Sequence, residues 1–347
     1  MKFESARDLK EEALARFVDL PVAPSTGLGG RLWTSGTRLT AAVARVGDHL
    51  PDALWLPGLR STPSFGLGVA VSEPGDYKLA IRYPWLDESQ APHLDELTEM
   101  ARGEVDVNWI GPIRVAAGAP GRPFRCRRRP LMIGSSVAHD GGTAGTLCAF
   151  VQRGGGAPEL LSCNHVLADC DRIQPNAAIL QPGPADGGQP KDLVGRLAYA
   201  YPFEQHAVNV VDCAVATLDT GIAGDHSSLE DFGVLKGVAT PDWYSPNGAK
   251  QPVAKIGRTT GTTEGRITAL SFTGEIEFPV GPRMFTDMIE IEGSDTAFAD
   301  LGDSGSLVFT AGDRLAVGMI IAVAEGGKSY MTRFDTVLSR LGAQLAI

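Results

Sequence analysis

From residue 131 onward the chain is cut into short strand-like pieces by glycine-rich turns, the texture of a β-barrel or β-sandwich. Residues 145–152 read as a strand, 153–158 as a turn, and 159–162 as the returning strand. Residues 209–218 form a further apolar strand with one acid, Asp212, inside it. Residues 255–267 hold two strand ends around a Gly/Thr turn. A hairpin turns at Gly312-Asp313, with 315–323 as its return strand, and 334–345 reads as a closing helix. The 42 glycines and 23 prolines fit a loop-rich, mainly β chain.

The part before residue 131 has a different grain. Leu9, Ala13, Leu14 and Phe17 recur at helical spacing within 1–20, and Pro21 and Pro24 stop that helix. Short apolar pieces around Trp33, Val43 and Trp55 follow. Then come strand-like Val69-Ala70-Val71, a turn at 73–76, an alternating stretch 77–83, an amphipathic helix 93–102 ended by Gly103, and a second alternating stretch 105–110. This predicts a small α+β N-terminal region. The Pro/Gly/Arg-rich stretch 114–130 marks a boundary, giving residues 1–130 and 131–347 as two domains. Its Arg125, Arg127, Arg128 and Arg129 read as a linker lying against the chain's own carboxylates.

A net charge of −10 and a pI of about 5.1 exclude a nucleic-acid partner and an anionic membrane surface. No apolar run approaches membrane-spanning length, and the charged first ten residues lead into no apolar core of an export signal, so a cytoplasmic location is expected. Five cysteines without repeated spacing are expected to be thiols. With no Cys-x-x-Cys and no paired histidine spacing, no metal is expected, and no cofactor motif is present: Gly66-x-Gly68 lacks the third glycine of a dinucleotide fingerprint.

The chemistry is carried by Gly302-Asp303-Ser304-Gly305, a turn that presents one hydroxyl ahead of a strand. A serine needs a base to take its proton and a third group to hold that base. His165 follows a hairpin return strand and opens a short apolar segment. Asp212, in its apolar strand, needs donors, and an imidazole N–H is one. The order is His165, Asp212, Ser304, with gaps of 212 − 165 = 47 and 304 − 212 = 92 residues. An α/β-hydrolase does not fit, because the turn is Gly-x-Ser-x-Ser and the histidine precedes the serine.

These residues resemble the chymotrypsin-fold (trypsin-like) serine peptidases over about 134–347. The family's histidine, aspartate and serine motifs match at Ser162-Cys163-Asn164-His165-Val166-Leu167, Asn209-Val210-Val211-Asp212-Cys213-Ala214 and Gly302-Asp303-Ser304-Gly305. Gly257-Arg258-Thr259-Thr260-Gly261 is similar to the start of the second barrel in bacterial streptogrisin-type members. The resemblance implies two six-stranded antiparallel β-barrels with a C-terminal helix. It implies a serine endopeptidase acting through an acyl-enzyme on a protein or peptide substrate. Ser304 is then the nucleophile, His165 the base, Asp212 its orienter, and the Gly302 and Ser304 N–H groups the oxyanion hole. Asp303 should be buried against a cation, with Lys255 the best-aligned partner and Arg258 the alternative, so that activity needs no cleavage before Met132 or Ile133. Phe298 is placed at the base of the substrate pocket, with Ile321, Ala322 and Val323 along a wall and Tyr330 nearby; an apolar or small residue before the cut is expected.

Two departures stand out: Ser306-Leu307 where many members continue Gly-Pro, and apolar Ile321 where many place a serine against the triad aspartate. The expected role is regulated limited proteolysis of a protein partner, such as a stress or defence effector, restrained by residues 1–130 or a regulatory partner bound through them. The alternatives are a catalytically silent binding module and a chain that processes itself.

Overall fold

The computed structural model describes residues 1–18, 65–73, 75–84, 91–115 and 123–347; the apolar pieces around Trp33, Val43 and Trp55 lie outside them. The fold is mainly β, built on two large sheets. The eight-stranded sheet runs Ala343–Leu345, Ala149–Arg153, Glu159–Ser162, Ala214–Leu218, Leu193–Ala200, Ala178–Leu180, Ser136–His139, Gly145–Thr146. In the other, Val253–Gly257, Leu307–Thr310, Leu315–Ala324, Lys328–Arg333, Gly281–Gly293 and Gly261–Phe278 follow one another, and the last pairs back onto the first, closing a ring. Apolar side chains of both sheets, among them Phe150, Leu161, Val215, Phe309 and Met319, merge into one core cluster. Among the described residues no helix is long and apolar enough to cross a membrane.

The described residues before 116 pair with this framework. Helix Phe3–Phe17 lays Leu14 and Phe17 on Leu67, Leu79, Ile81 and Leu97. Strand Gly66–Glu73 then pairs antiparallel with Gly261–Phe278, Val69 opposite Leu270 and Ala70 opposite Ala269. Asp76–Tyr83 and Val105–Trp109 extend the same sheet. Buried Arg82 grips buried Glu290 on the barrel strand Gly281–Gly293 through Nε (2.8 Å) and Nη2 (2.9 Å). A two-point guanidinium–carboxylate contact of this kind fixes orientation as well as charge.

Two local expectations need correction. Asp212 is not inside a strand: the strand is Ala214–Leu218, and Asp212 lies two residues ahead of it, where the ladder no longer uses the backbone. The closing helix is Phe334–Leu341, ended by Gly342 in a left-handed conformation (φ 59°). The residues after it, Ala343–Leu345, form a strand on Ala149–Arg153. Within the arginine run Arg125 is buried, while Arg127 pairs with Asp192 (3.3 Å) and Arg128 with Glu230 (2.6 Å).

Candidate active site

Strand register brings the histidine and the aspartate together. Ser162 sits opposite Ala214 in an antiparallel pair, so continuing past the ladder sets Asp212 beside residues 164–165. The chain leaves Glu159–Ser162 directly into the short helix Asn164–Leu167, which carries His165 in its first turn. Buried Asn164 holds that helix to its surroundings. Its Nδ2 donates to Asp171 Oδ1 and to the Tyr201 carbonyl, both at 2.7 Å, and its Oδ1 accepts from the Asp171 N–H at 3.1 Å. The anchor has work to do, because Asp169, Cys170 and Asp171 are three consecutive non-glycine residues at positive φ. Each costs about 1–2 kcal/mol, and such a run persists only where its surroundings hold it.

His165 Nδ1 is hydrogen-bonded to Asp212 Oδ2, and the His165 backbone N–H donates to Asp212 Oδ1 at 3.2 Å. Asp212 is fully buried. Its carboxylate accepts hydrogen bonds from His165 alone among the described residues.

Ser304 arrives from the other sheet, on the turn before strand Leu307–Thr310. Thr146 of the first sheet joins the two halves. Its N–H donates to the Ser304 carbonyl (2.8 Å), its Oγ1 donates to the Gly302 carbonyl (3.1 Å), and the same Oγ1 accepts from the Arg258 N–H (3.1 Å). Gly302 has φ +101°, and the N–H groups of Gly302 and Ser304 donate to no acceptor among the described residues. Two undonated N–H groups flanking a hydroxyl are what a developing oxyanion requires.

The serine is not engaged with the imidazole. Ser304 Oγ donates to the Ile321 carbonyl at 3.3 Å, and His165 Nε2 is buried without a hydrogen-bond partner. Phe278, at the tip of the long hairpin, packs edge-on against the imidazole with ring centroids 5.8 Å apart. Phe278 in turn packs against Phe203 and Phe285.

Asp303 turns to the Gly/Thr turn instead. Its carboxylate accepts from Thr259 N (2.7 Å), Thr260 Oγ1 (2.7 Å) and Asp300 N (3.1 Å), and Lys255 Nζ lies 3.4 Å away with both side chains fully buried. Arg258 forms its buried ion pair with Asp186, Nη2 to Oδ1 at 2.7 Å. Leu131 and Ile133 are buried, and strand Leu131–Met132 pairs with Gly224–Asp225 well within the chain.

The residues expected to line the substrate pocket are divided between two apolar clusters. Phe298, with Val323 packed nearby, belongs to one apolar cluster; Ile321, Ala322 and Tyr330 belong to another. The pairing of Leu315–Ala324 with Lys328–Arg333 shifts register between Ile320 and Ala322. Tyr330 points into the core, stacks on Phe272 (4.8 Å) and donates to Glu290 (3.0 Å).

The groups that sequence reasoning missed are Phe278, Asp186 and Thr146. Thr259 and Thr260 lie in the Gly/Thr turn but are not expected as donors to Asp303, for which the resemblance implies only a cation. Cys163, His165 and Asp212 bring ligand-type atoms within 4.8 Å of one another. They do not make a metal site: His165 Nδ1 is committed to Asp212, and burial pushes the Cys163 thiol well up, away from the thiolate a metal needs. All five cysteines are thiols.

A family model described as the Nal1 C-terminal domain matches residues 228–338. No curated protein matches the chain. Among solved structures, a glutamic acid specific serine protease is similar at 19% identity and a TM-score of 0.43, covering 62% of this chain and 100% of its own. Thermobifida fusca Protease A is similar at 14% identity and 0.43, covering 62% and 98%. Nocardiopsis protease is similar at 16% identity and 0.42, covering 62% and 99%. At such values the activity has to be argued from the side chains themselves.

Proposed function

We propose that this chain is a serine endopeptidase. The observation that carries the reading is the hydrogen bond from His165 Nδ1 to buried Asp212, at a junction where Ser304 and two undonated N–H groups meet. Asp212 fixes the imidazole with Nε2 free to act as base and stabilises the imidazolium that forms. Rotation about the Ser304 side chain, from the Ile321 carbonyl toward Nε2, makes the hydroxyl a nucleophile. It attacks the scissile carbonyl, and the Gly302 and Ser304 N–H groups receive the oxyanion. His165 then protonates the leaving amine and later activates the water that hydrolyses the acyl-enzyme. Each oxyanion donor contributes about 3–4 kcal/mol to such a transition state.

Asp303 supports the turn from behind. With Lys255 already beside it, the loop has its cation without a new chain terminus, so activity does not depend on cleavage near residue 131.

The test is digestion of a peptide library followed by mass spectrometry. Products that appear with the wild type and vanish with Ser304→Ala support the reading. Equal products from both contradict it.

A further inference from the structure

The strand Leu315–Ala324 has one long edge with several neighbours in sequence along it. Leu307–Thr310 covers residues 316–319. Next, Gly305 N–H donates to the Ile320 carbonyl and Ile320 N–H to the Ser306 carbonyl. Beyond the nucleophile, Ile113–Arg114 pairs antiparallel, with Arg114 opposite Val323 and Ile113 opposite Ala324. Moving forward along the chain from Ile113 to Arg114 therefore means moving back along the strand, toward Ile321, whose carbonyl holds Ser304 Oγ.

A peptide paired antiparallel to residues 321–324 would have its carbonyl led to Ser304, because the Gly305 and Ser306 backbone bonds the same edge at Ile320 and the Ser304 hydroxyl bonds the Ile321 carbonyl. An extended peptide added to a sheet edge is a standard recognition mode, and it needs the edge free.

The occupying segment is firmly built in. Ile110 and Ile113 are buried in the main core cluster, and Gly326 N–H donates to the Ile110 carbonyl at 2.8 Å. Gly111 has φ +65°, and a side chain there would meet Glu325 Cβ at 2.8 Å. Arg114 is clamped twice, to Glu277 (3.0 Å) and to Glu325 (2.9 Å). Glu277 precedes Phe278, and the Val115 N–H donates to the Glu277 carbonyl at 3.4 Å. One segment thus lies on the peptide edge and pins the hairpin tip that covers His165.

We propose that residues 110–115 are a built-in strap that competes with peptide substrate for the edge 321–324, and that the chain becomes fully active when this strap is displaced. The proposal rests on the serine peptidase reading. Arg114 is its clasp: a positioning residue that acts through Glu277 and Glu325 and touches no reacting atom.

The experiment compares the full-length wild type with Arg114→Ala and with Glu325→Gln, a milder change at a half-exposed side chain. Peptide hydrolysis and the rate of covalent labelling by a fluorophosphonate are read for each. Loss of two partly exposed ion pairs should release the strap about tenfold more often in Arg114→Ala. KM falls by that factor with kcat unchanged, labelling accelerates by the same factor, and Glu325→Gln moves both in the same direction by less. A wild type that cleaves and labels as fast as both folded variants overturns the strap and leaves the peptidase standing. Failure of all three proteins to cleave or label overturns the peptidase reading and the strap with it.

Discussion

Lys255 Nζ stands 3.4 Å from Asp303 Oδ2 with both side chains fully out of solvent, one residue behind the serine. A buried carboxylate left without its cation is strongly penalised, by about 3–5 kcal/mol when one partner is removed. Lys255→Met should therefore lower the unfolding free energy from denaturant melts by that amount and reduce kcat, because the turn carrying Gly302 and Ser304 loses its backing. Combining it with Asp303→Asn should recover part of the stability. Additive losses in this cycle would show that the pair is not coupled.

Gly302 is expected to tolerate no side chain. A Cβ at its position would lie 2.1 Å from Arg258 Nη1 and 2.5 Å from Thr259 Oγ1, on backbone at φ +101°. Because Arg258 is locked to Asp186, the turn must move instead, which misaims the Gly302 N–H. Gly302→Ala should cost about 10²–10³-fold in kcat, the usual effect of losing one oxyanion donor. Steady-state kinetics on folded variant checks this, and a change confined to KM would contradict it.

Asp212→Asn should leave the fold in place and lower kcat about 10⁴-fold, because an amide facing His165 Nδ1 favours the wrong tautomer. Since His165 supplies the hydrogen bonds to Asp212, no neighbouring donor is available to rescue the geometry. Single-turnover rates measure the loss, and a loss below tenfold would remove Asp212 from its assigned role.

His139 gives the fold a pH dependence. It is buried, its Nδ1 has no partner, and burial pushes its pKa below the ordinary 6.5, with Asp169 and Asp140 opposing the shift. The unfolded chain then binds this proton more readily than the folded one. The contribution is fully present above pH 6.5 and is lost as pH falls below it through the depressed folded value. Thermal midpoints should fall between pH 7 and pH 5 by less in His139→Gln than in the wild type. Equal falls would assign the acid sensitivity elsewhere.

The site was legible in the sequence where local pattern determines position. His165 is marked by the strand that ends at Ser162 and Ser304 by its glycine turn, whereas Lys255 is named only through the family resemblance, as the best-aligned partner of Asp303. The hairpin turning at Gly312-Asp313 followed from turn chemistry alone. What could not be read depends on long-range register. Nothing around Val69 says that it will pair with Leu270 and join Gly66–Glu73 to the sheet of Gly261–Phe278. Likewise, nothing around Arg114 says that it will lie on Val323. The shift between Ile320 and Ala322 is of the same kind: it changes which side chains face together, and single-residue shifts leave no mark in hydrophobicity. Asp212 was read as a strand residue because its neighbours are apolar, although the ladder begins only at Ala214.

The most direct measurement is the location of a covalent adduct. The folded chain is held with excess fluorophosphonate until reaction stops, then digested and analysed by peptide mass spectrometry. The account predicts one adduct on Ser304, none in Ser304→Ala, and slow formation in Asp212→Asn. An adduct that persists in Ser304→Ala, or none at Ser304 even in folded Arg114→Ala, would contradict it.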